Sequence, residues 1–202
     1  MKRVTAALVI LAGLAGAGAA NAQERQQAES RAVVTIIPAG ATFFTQAKDN
    51  ANAPSFGNYD LGGAIAGNFN KYVGLEAEVS GKLGVSQTLG PIGSDITTPN
   101  MLNYTGNVVI SAANHSSVVP YATAGVGGLS VFEKAQLGIN QTETFFTSNV
   151  GGGVKWYSGR WGLRGDYRFI AVQSKDDAPE FFGRETRYGH RFYGAFLVNL
   201  GR

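Results

Sequence analysis

The stretch TFFTSNVGGGVKWYSGRWGLRGDYRFIAV (144–172) decides the fold. In its second arm Trp161, Leu163, Gly165, Tyr167, Phe169 and Ala171 fall on one face, and Gly162, Arg164, Asp166, Arg168 and Ile170 on the other. Successive strand side chains point to opposite sides, so this is a strand with one apolar and one charged face. A helix would smear the pattern around its axis. The first arm repeats the pattern, with Phe146, Val150, Val154 and Trp156 against Thr147, Asn149 and Lys155. Three residues, Ser158 to Arg160, separate the arms, which is hairpin spacing. Trp156, Tyr157 and Trp161 flank the turn, and aromatic side chains at strand ends point to a membrane–water interface.

Working outward, the same alternation predicts further strands over 32–45, 59–70, 72–85, 102–112, 119–132 and 188–200. The 72–85 segment is the cleanest: Val73, Leu75, Ala77, Val79, Leu83 and Val85 oppose Glu76, Glu78, Ser80 and Lys82. Pro38 interrupts the first strand and predicts a bulge or edge position, because proline lacks the ladder donor. In 119–132 most residues are small and the facing stays ambiguous. With the hairpin arms this makes eight strands, each near the length that crosses a bilayer at a tilt of about 45°. The connectors 46–58, 86–101, 133–143 and 173–187 are long, and those between them are short. Starting from the periplasm, every short turn falls on that side and every long loop faces outwards.

Residues 1–22 stand apart. Lys2 and Arg3 precede an apolar run to Ala20, and Ala20-Asn21-Ala22 fits a signal-peptidase site. A helical membrane anchor is the alternative, but the run is short, rich in Ala and Gly, and lacks a stop-transfer flank. Cleavage would remove two basic and no acidic residues, lowering the formal net charge from +3 to +1. A sequence pI near 9.2 is therefore no argument for nucleic acid, and no basic block is present. Residues 23–31 read as a polar periplasmic leader, and 32–202 as the barrel. The chain has no Cys, so a secreted fold must be held by something other than disulfides. Its 28 glycines in 202 residues are about twice the usual ~7 % share. The mean hydropathy of −0.04 suits a membrane barrel, in which lipid-facing and lumen-facing residues alternate.

Alternation alone does not say which face is inside. A soluble barrel turns its apolar face inwards; a membrane barrel inverts it. Inversion is favoured because the charged face also carries small residues, Gly62, Ala64 and Ala66 beside Asp60 and Asn68, as a narrow interior requires. Tyr59, Phe69, Phe146, Trp156, Trp161 and Phe169 form a candidate aromatic girdle on the apolar face. That face carries no Asp, Glu, Lys or Arg between the second and seventh strands, and a lipid-facing Lys or Arg at the midplane costs roughly 2–4 kcal/mol.

The segments GGAIAGNFNKYVGLEAEVSG (62–81), VPYATAGVGG (119–128) and NVGGGVKWYSGRWGLRGDYRFI (149–170) complete a pattern that resembles the eight-stranded outer-membrane β-barrel family. That family includes the membrane domain of OmpA-type proteins and many small porin-like surface proteins. The resemblance implies an all-β, antiparallel up-and-down barrel in the bacterial outer membrane. The chain ends FLVNLGR rather than on the aromatic residue frequent in the family, while Phe196, Val198 and Leu200 keep the hydrophobic spacing. The implied partners are outer-membrane lipid and, during biogenesis, the barrel-assembly machinery. The expectation is a monomer without nucleic acid, with an unidentified extracellular partner at the outer loops.

The expected lumen holds Asp60, Glu76, Glu78 and Asp166 against Lys82, Lys155, Arg164, Arg168 and Arg191. These charges read as a salt-bridge plug, because isolated buried charges are too costly to leave unpaired. A narrow channel for ions or small solutes is the alternative reading. His115-Ser116-Ser117 suggests an outer-membrane lipid A hydrolase, but no acidic residue is near in sequence and the trio falls in a periplasmic turn. Asp176, Asp177, Glu180 and Glu185 lack the EF-hand spacing, and Lys175, Arg184 and Arg187 are interspersed, so a solvated loop is expected. Phe181-Phe182 in that loop would contact a partner or pack on the rim. The glycine runs 125–128 and 151–153 precede no helix and are read as bends or room for lumen side chains, not phosphate loops. No catalytic, cofactor or metal residue is assigned, and the expected role is structural or surface-interactive.

Overall fold

The computed structural model describes residues 31–46, 54–89, 93–112, 116–134, 140–173 and 186–200. The signal-peptide expectation, His115 and the acidic and Phe-Phe motifs of the last connector lie outside these residues. Among the described residues ten strands form: β1 (Ala32–Phe44), β2 (Phe56–Asn68), β3 (Val73–Leu83), β4 (Ser86–Leu89), β5 (Ser94–Thr97), β6 (Asn100–Ser111), β7 (Val118–Lys134), β8 (Asn140–Ser158), β9 (Trp161–Val172) and β10 (Arg187–Asn199). Eight of them close a barrel in the order β1-β10-β9-β8-β7-β6-β3-β2, every pair antiparallel. Closure matters because lipid cannot satisfy the donors and acceptors of a free strand edge.

The register carries the inversion. On β3 the apolar Leu75 and Val79 are exposed on the lipid face, while Glu76, Glu78, Ser80 and Lys82 are buried. Ile65 and Trp161 are each 64 % exposed, whereas Asp60 is 0 % and Lys82 1 % exposed. Around Pro38 the ladder shifts against both neighbours, between Ile36 and Ala39 and between Ile37 and Gly40. A bulge at the prolyl nitrogen absorbs the missing donor. The facing of β7 is resolved by its partners: Tyr121, Thr123, Leu129 and Val131 turn inwards and Ala122, Ala124 and Val126 outwards.

Several boundaries differ from the expectation. Strand β2 begins three residues earlier, because Phe56–Asn58 continue the ladder opposite Phe44–Thr42. Asn70 lies beyond its end, with Oδ1 accepting the N–H groups of Tyr72 and Val73 at 2.8 and 2.9 Å. The expected 86–101 connector contains the β4–β5 hairpin, whose Ser and Thr residues show no apolar face to read, and whose turn uses Gly93 at φ 64°. The expected 133–143 loop is mostly ladder, since Glu133 pairs with Gln141 and Lys134 with Asn140. The opening hairpin turns on two residues, not three: Ser158 pairs with Trp161 around Gly159 at φ 67°. Two-residue hairpin turns need positive φ at the first central position. Arg187 belongs to β10, not to a solvated loop, and is buried.

Candidate functional site

The barrel interior is built from every second residue of eight strands, and it is layered. The middle layer is ionic. Strand β9 contributes Arg164, Asp166 and Arg168, β3 Glu76, Glu78 and Lys82, β2 Asp60 and β10 Arg191, all buried. Arg164 pairs with Glu76 through Nη1 and with Asp166 through Nη2 at 2.7 Å. Arg168 reaches Glu76 at 2.8 Å, Glu78 at 3.2 Å and Asp166 at 3.0 Å. Arg191 pairs with Glu78 and, at 2.6 Å, with Asp60. Lys82 closes the chain on Asp60 at 3.1 Å and donates to Thr42 Oγ1 at 2.7 Å, while Thr42 itself donates to Asp60 at 2.8 Å. Each guanidinium in this row thus holds two or more carboxylates, and each carboxylate meets two or more cations. Buried charge requires that density of contacts to offset its lost hydration.

Two tyrosines complete this layer and were not among the expected charge residues. Tyr121 donates its hydroxyl to Asp166 and accepts from Arg164 Nε at 2.6 Å. Tyr193 accepts from Arg168 Nη2 at 3.1 Å and donates to Glu78 at 3.3 Å. Its ring is faced by the guanidiniums of Arg191, Arg164 and Arg168 at 4.5, 5.5 and 5.8 Å. The quadrupole of the ring attracts each cation. Tyr193 was legible as inward-facing from the β10 alternation; Tyr121 was hidden by the small residues around it. Lys155, also buried, adjoins the row, its Nζ 5.1 Å from the Tyr121 ring centroid.

Apolar layers lie above and below, which the sequence reading did not anticipate. Towards the long connectors Phe44, Phe56, Met101, Leu129, Val131, Phe145, Ile170 and Val172 form a buried cluster inside the barrel, with Leu89 of β4 packed on it. Gln87, also on β4, accepts from Gly57 N at 3.1 Å and donates to Gly57 O at 2.5 Å, which ties the β4–β5 hairpin to the barrel wall. Arg187 lies over the Phe56 ring at 4.7 Å and donates from Nε to Thr45 O at 2.9 Å. Towards the short turns Val33, Ala66, Tyr157 and Leu197 cluster, with Val119 packed against them. Between the ionic row and the upper apolar layer lies a cavity of about 10 Å³ lined by Asn103, Thr105, Thr147, Asn149, Arg168, Ile170 and Arg191. That is room for about one water molecule.

On the outside, Tyr59, Phe69, Phe146, Trp156 and Trp161 are exposed. Phe69, Trp156 and Trp161 stand at the short-turn end, and Tyr59 and Phe146 towards the other. Phe169 is half-buried, stacked with Tyr188 at 5.5 Å and edge-on to His190 at 5.4 Å, while His190 Nδ1 shares a 2.9 Å hydrogen bond with the Tyr167 hydroxyl. The one imidazole described on the lipid face is thus enclosed by aromatic rings. In the 112–118 turn Ser116 Oγ accepts the N–H of Val118 at 3.1 Å. Among the described residues no group of acidic and His side chains is arranged to hold a metal ion.

Residues 8–192 match the family described as outer membrane protein beta-barrel domain. The chain belongs to that family. It is an integral protein of the bacterial outer membrane. Solved structures with the same fold include Neisserial surface protein A, at 13 % identity and a TM-score of 0.66, covering 85 % of this chain and 98 % of that one. The attachment invasion locus protein Ail of Yersinia pestis, in complex with the heparin analogue sucrose octasulfate, matches at 12 % identity and 0.51, covering 84 % and 99 %. OprG of Pseudomonas aeruginosa matches at 12 % and 0.50, covering 89 % and 100 %. At such identities the likeness establishes the fold alone. No curated protein matches the chain in sequence.

Proposed function

We propose that this protein is a sealed, non-enzymatic outer-membrane barrel that acts through its wall and its outer surface, not through a pore. The observation that carries the reading is the three-layer filling of the lumen: apolar, ionic, apolar. An ion crossing it would have to displace the multiply held guanidiniums and then enter apolar layers that offer no hydration. Planar-bilayer recording tests this. The expected result is no unitary conductance from wild type; steps that change in Arg164→Gln or Glu76→Gln variants would establish the channel reading instead.

The lipid hydrolase reading is disfavoured by Ser116, whose hydroxyl serves its own turn. Lipid A from cells with and without the protein should carry identical acyl chains by mass spectrometry. The outer connectors 45–55, 84–99, 133–143 and 173–186 carry eight acidic and four basic residues. That balance disfavours a polysulfated ligand of the kind bound in the Ail complex. It favours a neutral or cationic partner at the outer surface. The barrel needs no second copy to complete its sheet, which supports a monomer, with outer-membrane lipid around it and the barrel-assembly machinery as its partner during insertion.

A further inference from the structure

Among the described residues, the rim at the short turns is charged on one side only. Arg160 lies in the β8–β9 turn, where its carbonyl accepts Asn199 N at 2.9 Å; Leu200 N bonds Ala32 O at 2.9 Å, and Arg31 O accepts Asn68 N at 2.9 Å. These bonds place Arg160, Arg31 and the Phe69–Tyr72 turn with Lys71 on one continuous arc, from β9 through β10, β1 and β2 to β3. Neighbouring strands are about 4.8 Å apart, so successive cations are on the order of 10 Å apart, within reach of long side chains. All three are exposed, and none pairs with a carboxylate among the described residues. The described rim residues on this side include no acid. In the turn across the barrel the described residues, Ala112, Ser116 and Ser117, carry no charge.

Immediately beside the cations the outer wall is apolar: Phe69 is 71 % exposed, and Trp161, Leu200 and Tyr72 are exposed as well. Lys71 Nζ stands 5.0 Å from the Tyr72 ring centroid, held at the aromatic level. Cations at the boundary with an apolar wall directly beside them match the layout of a phospholipid, phosphate over acyl chains. With three cations and no acid among the described rim residues, a net anionic headgroup fits better than a zwitterion, whose ammonium would meet mostly like charge. We propose that this arc seats an anionic phospholipid of the inner leaflet. The assignment rests on the short turns facing the periplasm and is independent of whether the lumen conducts.

The test uses the folded full-length barrel in nanodiscs of phosphatidylcholine and phosphatidylglycerol in equal amounts, with retained lipids counted by native mass spectrometry. Wild type should retain phosphatidylglycerol preferentially. Arg31→Gln, Lys71→Gln and Arg160→Gln should each lower that preference roughly fivefold, as expected for one basic side chain near an anionic surface. Lys134→Gln, on the opposite side, should leave it unchanged, and heat-modifiable gel mobility should report a folded barrel in every variant. Equal retention of both lipids by wild type, or a preference that survives in the triple variant, would overturn the proposal. So would a rim-dependent affinity for isolated cell-wall sacculi without any lipid preference, which would assign the arc to an acidic wall polymer.

Discussion

Arg168 shows how tightly the centre is balanced. It holds Glu76, Glu78 and Asp166 at once. Removing a partner from a buried ion pair leaves an uncompensated charge, at a cost of roughly 3–5 kcal/mol. Arg168→Met should therefore lower the unfolding free energy in urea by about that amount; a change below about 1 kcal/mol would show that water or neighbours already solvate those carboxylates. Gly153 tests the packing around the same layer. A Cβ there would meet the Gly165 carbonyl and come within 2.8 Å of the Tyr121 hydroxyl. Gly153→Ala should displace Tyr121 from Asp166 and Arg164 and blue-shift or broaden the tyrosine signal in near-ultraviolet circular dichroism. An unchanged near-ultraviolet spectrum would argue against that crowding.

Elements carry the next set of expectations. Gly159 turns the β8–β9 hairpin at φ 67°, a conformation that costs an L-residue roughly 1–2 kcal/mol. Gly159→Ala should destabilise the barrel by that much without altering its fold, measured as a lower urea midpoint at unchanged slope. The β4–β5 hairpin is fastened by Gln87 and Leu89. Gln87→Ala should speed hydrogen exchange at Gly57 and leave the ladder of β2 with β3 protected; loss of protection through β2 would mean the hairpin is integral to the wall. These two elements also show where sequence was informative. The β8–β9 hairpin announces itself because lipid on one side and charge on the other force strict alternation. The β4–β5 hairpin, SQTL and SDIT, is two four-residue strands with one apolar residue each, too short and too polar for a period to distinguish it from a loop.

For the whole molecule, the decisive energy is the sorting of faces between lipid and lumen. Val79, near the middle of β3, is 52 % exposed on the lipid side. Val79→Arg should cost roughly 2–4 kcal/mol of insertion stability and reduce the heat-modifiable fraction, since an arginine at midplane has no water to meet. An arginine tolerated there would place Val79 outside the hydrocarbon region.

Composition and alternation by themselves determined the class of the molecule: eight crossing strands, the apolar face outwards, the residues Asp60, Glu76, Glu78, Arg164, Asp166, Arg168 and Arg191 on the inner face, and an interruption of the ladder at Pro38, whether bulge or edge. A period of two is a local property, and each strand displays it without reference to the others. Only closure decided how far the ladders extend at 133–143, that Tyr121 and Tyr193 join the ionic row, and that apolar clusters lie on both sides of it. Those contacts unite residues from strands far apart in the chain. Inside a narrow barrel each is set by which side chains arrive at the same height, a quantity fixed by register around the whole ring and not by any one strand's pattern.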